Sequence, residues 1–231
     1  MATIRYATFK PETLQFLNDL SNNNNRVWFN KNKSSYEEQV VEVSLAFIKS
    51  MKAPLEDIAP HFSAIPKRSG GSLMRIYRDT RFSKDKAPYK THIGIQFRHK
   101  MAKNVIAPVY YLHIDPKESF LAVGMWRPES SALLEVRQRI AGNPTDWTTA
   151  TSNSKFKRHF VLEGESLLRP PKGFSNDHRL IDEIKRKDFI AVKHMMLDDV
   201  LSSRVQQRVE TAFRACADYM RFLCKAVSVP F

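Results

Sequence analysis

The sequence predicts an α+β fold, in which a central, mainly antiparallel sheet is packed by helices and long helices lie near both ends of the chain. Apolar residues recur at helical spacing over residues 10–55, and they alternate with polar residues in several segments of 73–127. Both patterns occur after residue 129. No shift in composition divides the 231 residues. We therefore expect a single domain over 1–231, with a helical or mixed C-terminal part at 129–231.

The N-terminal part is predicted to form a short helix and a long one. Residues 11–20 have a helical apolar stripe, and the asparagine-rich segment that follows is typical of a helix end. Trp28 and Phe29 are interpreted as core anchors for the next helix. That helix is predicted to run to about Met51, and Pro54 would end it.

The centre of the chain contains four predicted strands. They cover residues 73–79, 91–99, 108–115 and 119–126. Their connections are short, so we expect the last three to be consecutive antiparallel neighbours. In the first strand, Met74 and Ile76 are expected to point to the core. The opposite face of the sheet would then collect these side chains: Arg75, Tyr77, Asp79, His92, Tyr111 and His113.

The C-terminal part is predicted to be mainly helical. The expected elements are helices at 129–140, 146–157, 178–187 and 203–227 and a strand at 189–195. The apolar stripe of the last helix is interpreted as core packing, and Trp147 is expected to be buried. Cys216 and Cys224 would lie about 12 Å apart on that helix, which is too far for a disulfide. Buried thiols in a reducing compartment are expected instead.

The chain is strongly basic, with a formal net charge of +13. A positive field of this size favours association with anionic metabolites, nucleic acid or anionic lipid. The hydrophobic content of 42% and charged content of 26% indicate a globular chain and exclude a disordered one. No apolar run approaches the length of a membrane span, and the N-terminus has no signal-peptide core. We expect a cytoplasmic protein with no membrane partner; the sequence indicates no oligomeric state.

Residues 75–90 are the strongest candidate for a functional site. Six cations outnumber two acids there, and three aromatic residues are interleaved with them. Guanidinium groups suit bidentate recognition of carboxylate or phosphate, and aromatic rings supply rigid walls. The predicted function is binding of a small anionic ligand, bearing phosphate or carboxylate, in a cationic pocket built on residues 75–92. The predicted ligand-binding residues are Arg75, Tyr77, Arg78, Asp79, Arg81, Lys84, Asp85, Lys86, Tyr89, Lys90, His92, Tyr111 and His113.

Three other interpretations of this segment stay open. The domain could be an enzyme acting on such a ligand, with His92 or His113 as general acid or base. It could be a nucleic-acid-binding module, which the charge permits and no motif favours. Residues 75–90 could also be an internal ion-pair network that staples a loop to the sheet, because Arg–Asp networks are common structural devices.

No catalytic or cofactor motif accompanies the basic segment. The sequence has no glycine-rich phosphate loop, nucleophile elbow, HExxH or CxxC. Asp79 and Asp85 are flanked by cations that would lower their pKa, so we expect them to orient cations and not to act as general acids. His92 and His113 could converge with Asp79 or Asp115 on a metal ion, but half-exposed polar histidines are the preferred interpretation. We predict no metal and no cofactor.

Several motifs resemble one family of conserved hypothetical proteins. They are NRVWF at 25–29, YRDTRFSKDKAPYKTH at 77–92, YYLHI at 110–114, GMWRP at 124–128 and PKGF at 171–174. This pattern is similar to domain-of-unknown-function family 2461 and extends over nearly the whole chain. The resemblance implies a single cytosolic α+β domain and no particular activity. The chain departs from the family after Pro128, where it reads Glu129-Ser130-Ser131 in place of a second proline.

Overall fold

The N-terminal part is helical in the computed structural model, which describes residues 9–102 and 105–231. The elements before the sheet are α1 (Pro11–Asn22), α2 (Arg26–Lys31), α3 (Lys33–Tyr36), a π-helical segment (Glu37–Glu42), α4 (Val43–Ser50) and α5 (Lys52–Ile58). The first helix and the helical run that ends at Ser50 confirm the two predicted helices. Phe29 is buried, as expected of a core anchor, and Trp28 is half-buried against Phe16.

The prediction that Pro54 ends the long helix is wrong. That helix ends at Ser50, and Met51 separates it from α5, in which Pro54 is the third residue. A proline in the first turn of a helix costs little, because the N–H groups there have no intrahelical acceptor. The buried Met51 therefore marks the break, and the proline lies just inside the next helix.

The sheet has six strands among the described residues. They are β1 (Phe62–Ser63), β2 (Ile93–His99), β3 (Val109–Ile114), β4 (Ser119–Met125), β5 (Val161–Glu163) and β6 (Phe189–Met195). Their order is β1-β2-β3-β4-β6-β5, and every pairing is antiparallel. This confirms the predicted neighbours β2, β3 and β4. The sequence does not predict β1 and β5, because two or three residues are too few for alternation to be recognised.

The strand predicted at 73–79 is not formed. The segment makes only isolated bridges, at Leu73 and at Tyr77. Leu73 is buried in the core, whereas Met74 is half-buried and lies over Gly94 on the opposite face of the sheet. The prediction that Met74 points to the core is therefore wrong, whereas Ile76 is buried in the core as predicted. The segment does not keep the strict alternation of a strand, because Leu73 and Ile76 are three residues apart.

Helices form most of the C-terminal part. They are α6 (Ser130–Gly142), α7 (Pro144–Ser152), α8 (Ser154–His159), α9 (Ile181–Ile184), α10 (Leu197–Leu201), α11 (Val205–Ala215) and α12 (Ala217–Ala226). The charged helix predicted at 178–187 is reduced to the single turn α9, of which only Ile184 is buried. The helix predicted at 203–227 is divided at Cys216. Its apolar stripe is buried, as is Trp147, and both cysteines are buried free thiols.

One face of the sheet forms the core with the helices. Ile95 and Phe97 of β2 and Tyr110 and Leu112 of β3 are completely buried, and the Tyr110 ring lies 4.6 Å from that of Phe213 in α11. The opposite face of β2 and β3 is only half-buried. None of the described helices has the length and apolar character required to cross a membrane.

Candidate functional site

Residues 75–90 form an open loop with two antiparallel arms, which we call the basic hairpin. The Arg78 N–H donates to the Pro88 carbonyl (2.9 Å), and the Lys90 N–H donates to the Ile76 carbonyl (2.7 Å). The residues between these contacts form the tip. The chain leaves the hairpin almost directly into β2, and the Lys90 charge is close enough to His92 to lower its pKa.

Two residues outside the motif hold the hairpin in place. The Asn24 side chain donates to the Tyr89 carbonyl (2.9 Å) and accepts from the Tyr89 N–H (3.1 Å), so a single amide pairs with the backbone as a neighbouring strand would. The Tyr89 ring stacks on Phe29 of α2, with 4.1 Å between centroids. Tyr89 is consequently a core residue, with 3% exposure, and forms the anchor of the hairpin.

Asp79 and Arg81 form a bidentate ion pair at the tip. The Arg81 Nε and Nη2 atoms donate to the Asp79 carboxylate at 3.0 Å and 2.7 Å. These bonds lower the pKa of Asp79 and raise that of Arg81. Both side chains are largely exposed, so the pair shapes the tip locally and does not connect the hairpin to the sheet.

Arg78 and Asp85 form the second ion pair of the hairpin, 2.5 Å apart. The N–H of Ala87 also donates to the Asp85 carboxylate (2.9 Å), and this bond, followed by the one from Arg78, lowers the pKa of Asp85. The carboxylate of Asp85 is exposed and Arg78 is only partly covered. Both acids of the motif thus orient arginines, as expected from the sequence, but neither pair is buried as a structural staple would be.

The remaining four cations of the hairpin have no carboxylate partner among the described residues. The Lys86 Nζ atom donates to a backbone carbonyl of the tip (2.9 Å), and the Lys90 Nζ atom donates to the carbonyl of Arg75 (2.9 Å). The side chains of Arg75 and Lys84 form no hydrogen bond within the described chain and are exposed. The surplus of positive charge predicted from the sequence is therefore present at the surface.

Arg75 and Lys90 lie together at the base of the hairpin, which we call the foot. Lys90 is half-buried, and burial followed by the neighbouring Arg75 charge lowers its pKa. The charge of Arg75 also lowers the pKa of Asp79, although that carboxylate is already paired with Arg81. Two cations that repel each other thus share a site with no carboxylate in salt-bridge contact.

Three potential metal ligands converge on the half-buried sheet face beside the foot. One ligand atom from each of His92, His113 and Asp115 lies within 4.8 Å of the other two. The imidazole rings of the two histidines are 4.3 Å apart and inclined by 32°. His113 lies in β3, Asp115 directly follows the last residue of β3, and His92 directly precedes the first residue of β2. Asp79, the other acid considered for a metal site, lies with Arg81 at the hairpin tip.

Two aromatic neighbours orient the imidazole of His113. Its Nδ1 atom is hydrogen-bonded to the Tyr111 hydroxyl (3.0 Å). The ring stacks on Phe120 of β4, its cross-strand partner, with centroids 4.6 Å apart and planes inclined by 8°. These contacts fix the ring plane and leave Nε2 without a hydrogen-bond partner among the described residues.

Burial keeps the two histidines neutral near pH 7. It lowers the pKa of His113 to about 4, with a further contribution from His92 and an opposing one from Asp115. The pKa of His92 is lowered by burial and then by the charge of Lys90. Burial also raises the pKa of Tyr111 to about 12. A neutral imidazole accepts a proton or binds a metal ion, but it is a poor general acid.

The predicted site residues form two groups and not one enclosed pocket. His92, Tyr111 and His113 share the sheet face, as predicted, whereas Tyr77 and Asp79 lie on the hairpin, away from the predicted positions on that face. Two cavities of about 730 and 380 Å³ lie elsewhere, the larger beside β2, β3 and α6 and the smaller between α1, α2 and α3. Neither is lined by a hairpin residue; of the hairpin cations, Arg75, Arg81, Lys84 and Lys86 are exposed, and Arg78 and Lys90 are partly covered.

The family resemblance is confirmed over most of the fold. A family model described as a conserved hypothetical protein, DUF2461, matches residues 12–222. The chain belongs to DUF2461. Neither a curated protein nor a solved structure shows significant similarity to this chain. Membership of DUF2461 assigns no activity, so the function has to be inferred from the side chains of the site.

Two contacts that shape this DUF2461 site are not recognised from the sequence. Asn24 lies 65 positions before Tyr89, within a run of asparagines that indicates only a helix end. No local pattern identifies such a partner. Phe120 is different, because the alternation of the strand predicted at 119–126 could have placed it beside His113 once the hairpin register was known.

Proposed function

We propose that the basic hairpin binds an anionic ligand that bears phosphate or carboxylate groups, with Arg75 and Lys90 at the foot as its principal contacts. The observation that supports this most strongly is the position of these two cations. They are close enough for Arg75 to lower the pKa of Lys90, and no carboxylate pairs with either in the described chain. A bound anion would relieve this repulsion.

The half-buried state of Lys90 strengthens the proposal. Removing a charged group from water is unfavourable unless an opposite charge or hydrogen bonds compensate it. The Arg75 carbonyl supplies only one acceptor for an ammonium group that has three donors. An oxyanion can accept the remaining bonds, and the guanidinium of Arg75 offers the planar donor pair that suits phosphate or carboxylate.

Single-stranded nucleic acid is the second candidate ligand, and one observation at the tip favours it. Phe82 is 95% exposed, and the Arg81 guanidinium lies 5.7 Å from its ring centroid. Exposed aromatic rings next to cations are the elements on which unpaired bases stack, and base stacking tolerates different sequences. Lys84 and Lys86 would then contact the phosphate backbone.

The test is a binding series with a charge-matched control. The double variant Arg75→Gln/Lys90→Gln removes both positive charges of the foot. The control Lys52→Gln/Lys225→Gln removes two positive charges from exposed lysines outside the hairpin. Inorganic phosphate, citrate and ATP are titrated by isothermal calorimetry, and a fluorescein-labelled oligonucleotide is titrated by anisotropy at several salt concentrations. Circular dichroism confirms that each variant is folded.

The proposal requires at least one of the small anions to bind wild type and the lysine control, and to bind the foot variant about tenfold more weakly or not at all. Binding of the oligonucleotide alone, lost in Phe82→Ala and steeply weakened by salt, would select the second candidate. Equal affinity of the foot variant and the control for every probe would refute the assignment of the foot.

A further inference from the structure

We propose that His92, His113 and Asp115 form a binding site for a divalent transition-metal ion such as Zn²⁺. The proposal goes beyond anion binding and does not depend on it, because it requires neither Arg75 nor Lys90. It also departs from the sequence-based expectation that no metal binds.

The sheet itself brings the three ligands together. In the β2–β3 ladder, Gly94 pairs with His113 and Ile93 pairs with Ile114. Extending this register by one residue brings His92 opposite Asp115. Side chains of opposite residues, and of diagonal ones on the same face, lie within reach of each other in an antiparallel pair. His113 thus lies within the ladder, and His92 and Asp115 lie one residue beyond its last pair, Ile93 and Ile114.

Contacts around His113 resemble those that orient a metal ligand. If Nε2 binds a metal ion, Nδ1 carries the proton and donates it to the Tyr111 hydroxyl, 3.0 Å away. Outer hydrogen bonds of this kind fix the tautomer and the ring orientation of ligating histidines. The stacking of Phe120 on the ring restrains its rotation.

Asp115 is also held with one oxygen available. Its Oδ1 atom accepts from the Lys117 N–H (2.8 Å), and no cation of the described chain forms a salt bridge with the carboxylate. His92 has no hydrogen-bonded partner among the described residues. All three side chains are half-buried, so they are restrained by packing and remain reachable from solvent.

The donor set and the distances suit a first-row transition metal. Two imidazole nitrogens and one carboxylate oxygen are typical ligands of Zn²⁺ and of non-haem iron, whereas Ca²⁺ and Mg²⁺ prefer oxygen donors alone. Tetrahedral coordination with metal–ligand bonds of about 2.0–2.1 Å places ligand atoms about 3.3 Å apart. The separations are at most 4.8 Å, so the ligand atoms would have to approach one another by up to about 1.5 Å. A fourth position would be left for water or an anion.

Zinc binding by tag-free protein, stripped with EDTA, tests the site. Isothermal calorimetry gives affinity and stoichiometry for wild type, His92→Gln, Asp115→Asn and the control His194→Gln. His194 belongs to the same sheet face, opposite Phe120, but is exposed beside Glu118 and Glu163. Long-range ¹H–¹⁵N spectra of the imidazoles identify the coordinating nitrogen directly, and metal-free melting curves show whether each variant folds.

We expect one Zn²⁺ per chain in wild type and in His194→Gln, at least about tenfold weaker binding in His92→Gln and Asp115→Asn, and a coordination shift at Nε2 of His113. If either ligand variant does not fold, the imidazole spectrum of wild type with and without Zn²⁺ still decides the question. Unchanged His92 and His113 signals, or zinc binding that is lost in His194→Gln but kept in the ligand variants, would overturn the proposal.

Discussion

Replacing Asn24 with alanine should release the basic hairpin from the body of the protein. The Asn24 side chain makes two hydrogen bonds with the backbone of Tyr89, of 2.9 and 3.1 Å, and both are partly buried. Alanine removes both partners at once and leaves the Tyr89 N–H and carbonyl to water. The stacking of Tyr89 on Phe29 remains, so the rest of the fold should be retained.

The size of the effect follows from the number of bonds. Each hydrogen bond of this kind contributes about 0.5–1.5 kcal/mol net, so the closed hairpin should lose about 1–3 kcal/mol relative to a locally opened state. This difference corresponds to about 5- to 150-fold faster hydrogen exchange of those amides that are protected only while the hairpin is closed. The informative amides are those of Arg78 and Lys90, which donate across the two arms.

Native-state hydrogen exchange followed by NMR measures this change residue by residue. The matched control is Asn22→Ala, at the exposed end of α1, where the asparagine side chain forms no hydrogen bond within the described chain. Faster exchange of Arg78 and Lys90 in Asn24→Ala, but not in the control, is the expected result. Equal exchange rates in both variants would show that aromatic packing alone holds the hairpin.

Three further predictions concern stability. Phe47→Ala and Met220→Ala should each lower the free energy of unfolding by about 2–5 kcal/mol, because both side chains are completely buried. Urea denaturation measures this change, and unchanged denaturation midpoints would contradict their place in the core. Arg78→Ala should lower the free energy of unfolding by less than about 1 kcal/mol in the same assay, since its partner Asp85 is exposed. A loss of about 3–5 kcal/mol would instead support the interpretation of residues 75–90 as an internal ion-pair network. With EDTA present, the contribution of His113 to stability should fall by less than about 3 kcal/mol, after allowance for solvent screening, as the pH falls from 6.5 to 4, because its pKa is about 4 in the fold and about 6.5 when unfolded. His92, whose pKa is also lowered, adds to the loss in wild type. His113→Asn should be less sensitive to pH than wild type, and an equal pH dependence would contradict the assignment.

The sheet centre could be predicted because its signals are local. Alternation in β2, β3 and β4 and their short connections specify both the strands and their antiparallel order. The same reasoning fails at 73–79, which has the composition of a strand. There the chain pairs only at Leu73 and Tyr77, and the rest of the segment departs into the hairpin. Composition alone does not reveal whether a neighbouring strand is available.

The candidate site could be predicted in part for the same reason. Its residue types are visible in the sequence, and the shared face of His92 and His113 follows from strand alternation. The shape of the hairpin depends on Asn24, 65 residues before its partner, and on which acid pairs with which arginine. Those are tertiary contacts, so the sequence favoured a pocket but left an enzyme, a nucleic-acid surface and an ion-pair staple open as other interpretations of one set of charges.

The two proposed sites meet at His92, and each concerns a charge that the described chain leaves uncompensated. Arg75 and Lys90 have no carboxylate partner among the described residues, and Asp115 forms no salt bridge there and lies beside His92 and His113. Pairing Lys90 with Asp115 directly would have satisfied both at once, yet no such salt bridge is formed within the described residues. His92 is close enough to both that the charge of Lys90 lowers its pKa and that of Asp115 raises it. The common basis of both proposals is therefore a set of charged or metal-ligating side chains that have no salt-bridge partner among the described residues.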